Sequence, residues 1–226
     1  MTAEAGALDP GLRRDDGYGR PESAQSGPAF SSQPQSHPPE YILPMDIQIR
    51  ATSDSDRLAI TDLLNAAFGP DGAEIAALVS DLLDDPSARP LLSLAATRDA
   101  CVIGYILFTH TQIAGSEPSL ASAILAPLAV HPDHQGRGIG GRLIEAGLKR
   151  LKDAGVDLVF VLGHPGYYPR YGFDPAGERG FEAPHPIPGE HAAAWMVRTL
   201  RPGVIGTVSG QVVCADTLND PRHWSE

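Results

Sequence analysis

The stretch QGRGIGG, Gln135 to Gly141, holds four glycines in seven residues, between the apolar run LASAILAPLAV and a segment of helical period. Glycines at a helix N-terminus let backbone N–H groups face an anion with the helix dipole behind them, so the chemistry they offer is a grip on a phosphate. Gly136, Gly138 and Gly141 fit the spacing GxGxxG of dinucleotide sites. That motif puts its first glycine at the strand end and a ribose-binding acid at the end of the next strand. Here HPDHQ intervenes, and Asp157 begins the next strand instead of ending it. A nucleoside triphosphate loop needs Lys and then Ser or Thr after its last glycine; Arg142 and Leu143 stand there. The dinucleotide pattern is thus matched only in part and the triphosphate pattern is not; a tight turn and a grip on another phosphorylated cofactor stand beside the dinucleotide reading.

Further residues able to do chemistry are scattered. HPGYYPRYGFDP, His164 to Pro175, clusters Tyr167, Tyr168 and Tyr171 behind His164. Glu74 opens a helical segment, and His131 and His134 flank the turn before the glycines, where a turn-forming role is expected. Cys101 and Cys214 are too few and too far apart for a metal knuckle or a disulfide framework, so both are expected to be inert packing residues. No spacing of ligand types supports a metal.

The elements that must position these residues read as follows. A short strand, Asp46 to Thr52, precedes a helix capped by Ser53 or Ser55, with Leu58, Ile60, Leu63, Leu64 and Phe68 at helical spacing. Gly72 to Asp85 repeats that period. Leu91 to Thr97 and Cys101 to Ile113 are strands joined by a hairpin-length connection, and Leu120 to Val130 is the strand before the glycines. From Gly141 to Ala154 a helix is expected, with Leu143, Ile144, Leu148 and Leu151 on one face and Glu145 paired with Lys149. Asp157 to Gly163 is apolar enough for a strand buried on both faces. Strand, glycine turn, helix, strand makes a βαβ unit with parallel strands. Ala192 to Leu200 and Gly210 to Asp216 complete the list. The order predicts an α/β (α+β) domain whose mostly antiparallel mixed sheet, flanked by helices, carries one central parallel pair. Pro127 lies within a strand of that pair, where a missing ladder donor is normally confined to edges or bulges; either the strand is an edge, or something separates it from its neighbour.

PLAVHPDHQGRGIG together with HPGYYPRYGF resembles the acyl-CoA-binding and aromatic signatures of the GCN5-related N-acetyltransferase (GNAT) superfamily, most closely its YhbS-like bacterial branch. The motifs span about 50 residues, and the element order extends the likeness from Met45 to Asp216. The resemblance implies the GNAT fold, with two central parallel strands splayed apart so that the pantetheine arm of acetyl-CoA pairs with backbone groups of Leu128, Ala129 and Val130. It implies that Gln135, Gly136, Arg137, Gly138, Ile139, Gly140 and Gly141 wrap the diphosphate, with Arg137 and Arg142 in reach of charge. By the same likeness, Tyr168 stands beside the CoA sulfur as the hydrogen-bond or proton donor. Glu74 is the first choice for general base, and His164 binds CoA, relays a proton or caps its strand. The implied reaction is acetyl transfer to a primary amine by direct attack in a ternary complex, without a metal. A CoA-binding regulatory or scaffold protein is the alternative.

The first 45 residues contain 7 Pro, 5 Gly and 5 Ser, above the ~25–30% that marks low-complexity sequence. A disordered head over residues 1–44 is therefore expected, with one domain over 45–226. The formal charge is −11, which argues against a nucleic-acid partner. No run of 18 apolar residues and no secretory pattern occurs, so the expectation is a cytoplasmic protein without a membrane partner. The acceptor is a small-molecule amine or a protein amine of unread identity. A homodimer is the commonest assembly for such a chain.

Overall fold

The computed structural model describes residues 47–116 and 120–224; the expected head lies outside them. A sheet runs in the order β1 (Gln48–Ala51), β2 (Leu92–Arg98), β3 (Cys101–Ile113), β4 (Ser122–Val130), β5 (Leu158–Leu162), β8 (Trp195–Thr199), β6 (Asp174–Pro175). β9 (Gly210–Cys214) pairs with the far end of β3 and with the short β7 (Phe181–Glu182). All neighbours on the main path are antiparallel except β4 and β5, which agrees with the predicted single parallel pair.

Two cores form because alternate strand residues point to opposite faces. On one face α1 (Arg57–Phe68) and α2 (Gly72–Asp84) bury Leu63, Leu64, Leu78 and Leu82 against Tyr105, Leu107, Phe160 and Trp195. On the other, α3 (Ile139–Asp153) buries Leu143, Ile144, Leu148 and Leu151 against Ile106, Phe108, Leu125 and Val159. Each fully buried Leu or Ile contributes roughly 1.5–3 kcal/mol.

Several local expectations are corrected. Leu58, expected among the apolar positions of the first helix, is 74% exposed, because at about 100° per residue it stands across α1 from the face that Ile60, Leu63, Leu64 and Phe68 bury. Ser53 caps a 3-10 turn, Asp54–Asp56, ahead of α1; its N–H donates to Asp56 Oδ2 at 2.8 Å. Lys149 pairs with Asp153 at 2.6 Å, the i, i+4 neighbour on its C-terminal side, instead of Glu145. Cys101 is exposed at the start of β3, and only Cys214 is buried. The β2–β3 hairpin turns on Asp99 and Ala100, both at positive φ, the twist a two-residue hairpin requires.

Two devices hold the ends of this framework. Arg142 Nη2 donates to Ile47 O at 2.7 Å and Arg150 Nη2 to Ile49 O at 3.4 Å, so α3 satisfies outward carbonyls of the edge strand. Asp85, just past α2, accepts from the Ser87 N–H and hydroxyl through Oδ1, and from the Thr217 N–H and hydroxyl through Oδ2. It thereby ties the C-terminal segment to the helix layer.

Candidate active site

The parallel ladder joins Ser122–Leu125 to Leu158–Val161 and ends there. β4 runs on through Ala126–Val130 with no partner in β5. The cause lies on its other side. Between the pairs Phe108↔Leu125 and Ile106↔Leu128, β3 spends one residue and β4 spends two, Ala126 and Pro127, so β4 bulges where proline supplies no donor. Pro127 thus marks a divergence inside the sheet, and the edge reading is set aside.

His131 N–H donates to Ile103 O at 3.0 Å, which fixes the phase of the strand. With the two-residue alternation of an antiparallel ladder, the Ala129 peptide groups face β3, while those of Leu128 and Val130 face the gap toward β5. Of the three strand residues expected to meet the pantetheine arm, Ala129 therefore turns its amide to Tyr105. The Val130 carbonyl accepts from Gln135 Nε2 at 3.0 Å, so Gln135 ties the strand end to the loop.

The turn Pro132–His134 follows, with His131 Nδ1 accepting from the Asp133 N–H at 3.3 Å, the turn-forming role expected of it. Burial, then the charge of Arg137 and the other nearby cations, holds the His134 imidazole below its ordinary pKa. Gly136 and Gly138 have φ of 69° and 75°, and a Cβ on either would meet nothing within 4 Å. They are needed for the left-handed backbone that turns the loop, and the space beside them is open. Gly138 caps α3, whose first N–H groups point into that space. Gly140 and Gly141 differ. A Cβ on Gly140 would lie 2.7 Å from Tyr167 Oη, and one on Gly141 would collide with the Tyr171 hydroxyl.

Those tyrosines bracket the 3-10 turn Tyr168–Tyr171, Tyr167 as the residue that precedes it and Tyr171 as its last; Pro169 fits its first turn and Gly172, at φ 75°, ends it. Tyr168 is 1% exposed, packed edge-on to Tyr167 and Phe173 with its ring against Gly163 just past β5. His164 is exposed; its Nδ1 accepts from the Gly166 N–H at 3.0 Å and its carbonyl from the Tyr167 N–H at 3.0 Å, so it caps the turn after β5. Asp157, at the opposite end of β5, is buried, accepts from the Ala121 N–H and pairs with Arg201 at 2.8 Å. That is a strand-start anchor.

On the α1–α2 face, Trp195 stacks on Phe160 at 5.3 Å and meets Trp224 edge-on at 5.8 Å. Trp195 is the register partner of Leu162, the last residue of β5, so the C-terminal turn Pro221–His223 lies toward the gap end of the sheet. Glu74 is exposed in the first turn of α2, and its charge reaches His223. Burial, then Arg222, pushes the His223 imidazole down, against the opposing carboxylates of Asp220 and Glu74. His223 carried no sequence signal, since NDPRHW has neither period nor motif. Among the described residues no three His, Cys, Asp or Glu side chains gather as a metal site, and no helix is long and apolar enough to cross a membrane.

A strand gap with inward amides, opening at an αL glycine loop, fits an amide-bearing arm that ends in a diphosphate. Residues 48–176, over half of the chain, match the acetyltransferase (GNAT) domain family. The chain is 48% identical over 166 residues to the uncharacterised N-acetyltransferase YjhQ of Escherichia coli, covering 73% of this chain and 90% of that one. It is 33% identical over 172 residues to the uncharacterised N-acetyltransferase YhbS of the same species, covering 76% and 98%. Among solved structures, Escherichia coli YhbS in complex with CoA aligns with TM-score 0.70 and 31% identity over 78% of this chain and 94% of that one. A Brucella melitensis GNAT acetyltransferase in complex with acetyl-CoA aligns with TM-score 0.61 and 28% identity, over 77% and 99%. The parted strands, the glycine loop and these relatives agree, and the chain belongs to the GNAT family of N-acetyltransferases.

Proposed function

We propose that this chain transfers the acetyl group of acetyl-CoA to a primary amine, by direct attack within a ternary complex, at the gap between β4 and β5. The parting of those strands beyond Leu125 carries the reading, because it leaves the Leu128 and Val130 peptide groups turned away from β3, in the half of β4 that runs on to the glycine loop. Acetyl-CoA supplies the activated thioester. The Leu128 and Val130 backbone groups align its arm, and the Leu128 N–H is the donor for the developing oxyanion. Gly136, Arg137, Gly138, Ile139, Gly140 and Gly141 present amides to the diphosphate, with Gln135 holding the loop to the strand.

Tyr168 hydrogen-bonds the sulfur as it leaves. With ordinary values of about 10 for a phenol and about 8.5 for a thiol, full proton transfer is not downhill, so its part is mainly to stabilise developing charge. Glu74 and the half-buried His223 stand on the acceptor side, where the amine must lose a proton. His164 acts through the turn it caps. The net charge of −11 favours a cationic acceptor over a nucleic acid, and the reaction suits a cytoplasmic enzyme, with a homodimer as the assembly.

Acetyl-CoA-dependent thiol release across a panel of amines tests the reading. Turnover with any amine supports it; tight CoA binding without turnover on any amine supports a binding-only scaffold instead.

A further inference from the structure

The tyrosine turn brings a cation to the glycine loop. Arg170 is exposed, and its guanidinium carbon lies 5.9 Å from the centroid of the Tyr167 ring. The hydroxyl of that same ring abuts Gly140 in the first turn of α3, so one aromatic ring separates Arg170 from the helix N-terminus. Stacking on an aromatic face holds a guanidinium in place and leaves its N–H fork available to a phosphate.

The chain's charge creates the need. CoA carries a diphosphate and a 3′-phosphate, and it must approach a protein of net charge −11. Arg142, the cation nearest the loop on α3, is directed to the Ile47 carbonyl. Arg137 belongs to the loop itself, and the opposite wall is the tyrosine turn.

We propose that Arg170 is a phosphate-binding residue, facing the glycine loop from the tyrosine turn and recognising a phosphate at the nucleotide end of CoA. This rests on the acetyl-CoA reading above. The motif YYPRYGF thereby gains a second task, since the same turn sets the Tyr168 ring against Gly163 past β5 and holds a guanidinium over the Tyr167 ring.

Calorimetric titration of wild type, Arg170→Gln and Arg170→Lys with CoA, 3′-dephospho-CoA and pantetheine tests it. A charge-assisted hydrogen bond is worth roughly 1.5–3 kcal/mol, so Arg170→Gln should weaken CoA about 10- to 100-fold, Arg170→Lys should recover part of that, and pantetheine should be unaffected. A loss confined to CoA assigns the contact to the 3′-phosphate; an equal loss for CoA and dephospho-CoA assigns it to the diphosphate. No loss for either nucleotide, or an equal loss for pantetheine, overturns the proposal. Independently of any variant, the Arg170 Nε–H resonance of the wild type should shift with CoA and stay in place with pantetheine. Failure of the acetyl-CoA reading is recognisable separately, as a wild type that binds no CoA.

Discussion

Tyr167 and Gly140 meet where the two signature stretches of the chain join: the phenolic oxygen lies 2.7 Å from the position a Cβ on Gly140 would take. The glycines of the loop therefore do two different jobs. Gly136 and Gly138 set the backbone turn, whereas Gly140 and Gly141 make room for the tyrosines that close against α3.

Substitution should separate these jobs. Gly140→Ala puts a methyl group against the Tyr167 hydroxyl, and overpacking of this kind costs typically 1–3 kcal/mol. Chemical denaturation should show that loss, accompanied by weaker CoA binding as the tyrosine turn shifts. Gly136→Ala meets no atom, so its cost is the left-handed backbone alone, roughly 1–2 kcal/mol. Stability lost at Gly136 without any loss at Gly140 would contradict the close approach.

Gly138→Asp should leave the fold nearly intact, because the position is open and Asp tolerates the αL region better than most residues. It should nevertheless abolish measurable CoA binding, by placing a carboxylate where the diphosphate is to sit. Circular dichroism and calorimetry on the same sample decide the matter. A variant that binds CoA normally would remove the diphosphate from this loop.

Tyr168→Phe keeps the ring that packs against Phe173 and Gly163 and deletes only the hydroxyl. Turnover should fall about 100- to 1,000-fold while CoA affinity changes little, the usual range for a lost donor to a developing charge. Unchanged turnover would reduce Tyr168 to a packing residue.

Asp85 gives the fold an acid limb. Burial pushes its carboxyl up, but the Ser87 hydroxyl, the Thr217 amide and hydroxyl and the Ser87 amide outweigh that and bring it down to about 2, from 3.8. A depressed folded-state value means that the staple's contribution is complete above 3.8 and is lost as pH falls through about 2. The wild-type melting temperature should drop between about pH 4 and pH 2 more steeply than that of Asp85→Ala. At neutral pH the Ala variant should be less stable by about 2 kcal/mol, since hydrogen bonds to a charged group are lost. Parallel pH profiles for the two proteins would show that the staple is inert.

The fold was legible wherever period and composition agree. The β4–α3–β5 unit follows from an apolar strand, a glycine turn and an amphipathic helix, and each bound falls within two residues of expectation. Pro127 carried the most information, for a donor missing from a central strand demanded a break in the ladder, and the break lies at the bulge. What stayed hidden depends on chain separation. Nothing local tells that Ala129 faces β3, because the bulge resets the alternation one residue before it matters. Leu58 is apolar and lies in α1, yet it stands about 200° round the helix from Ile60, so its composition points to the core while its phase points to solvent. The hydrogen bonds of Asp85 with Thr217, and the packing that brings His223 within range of the charge on Glu74, span well over a hundred residues, and no spacing rule reaches that far.

The divergence at Ala126 and Pro127 gives β4 a second character: half of it is paired on both sides, and half is a template without a partner in β5, in the middle of the molecule. Such a template invites any extended polypeptide to zip in, the usual route to intermolecular β-aggregation. The length of the fissure limits the hazard. An intruding strand would find the Leu128 and Val130 groups and then the half of β4 that β5 already covers, so it could not extend the zipper. The bulge that opens the fissure thus also sets its length, admitting a guest with few amides and turning away a long one.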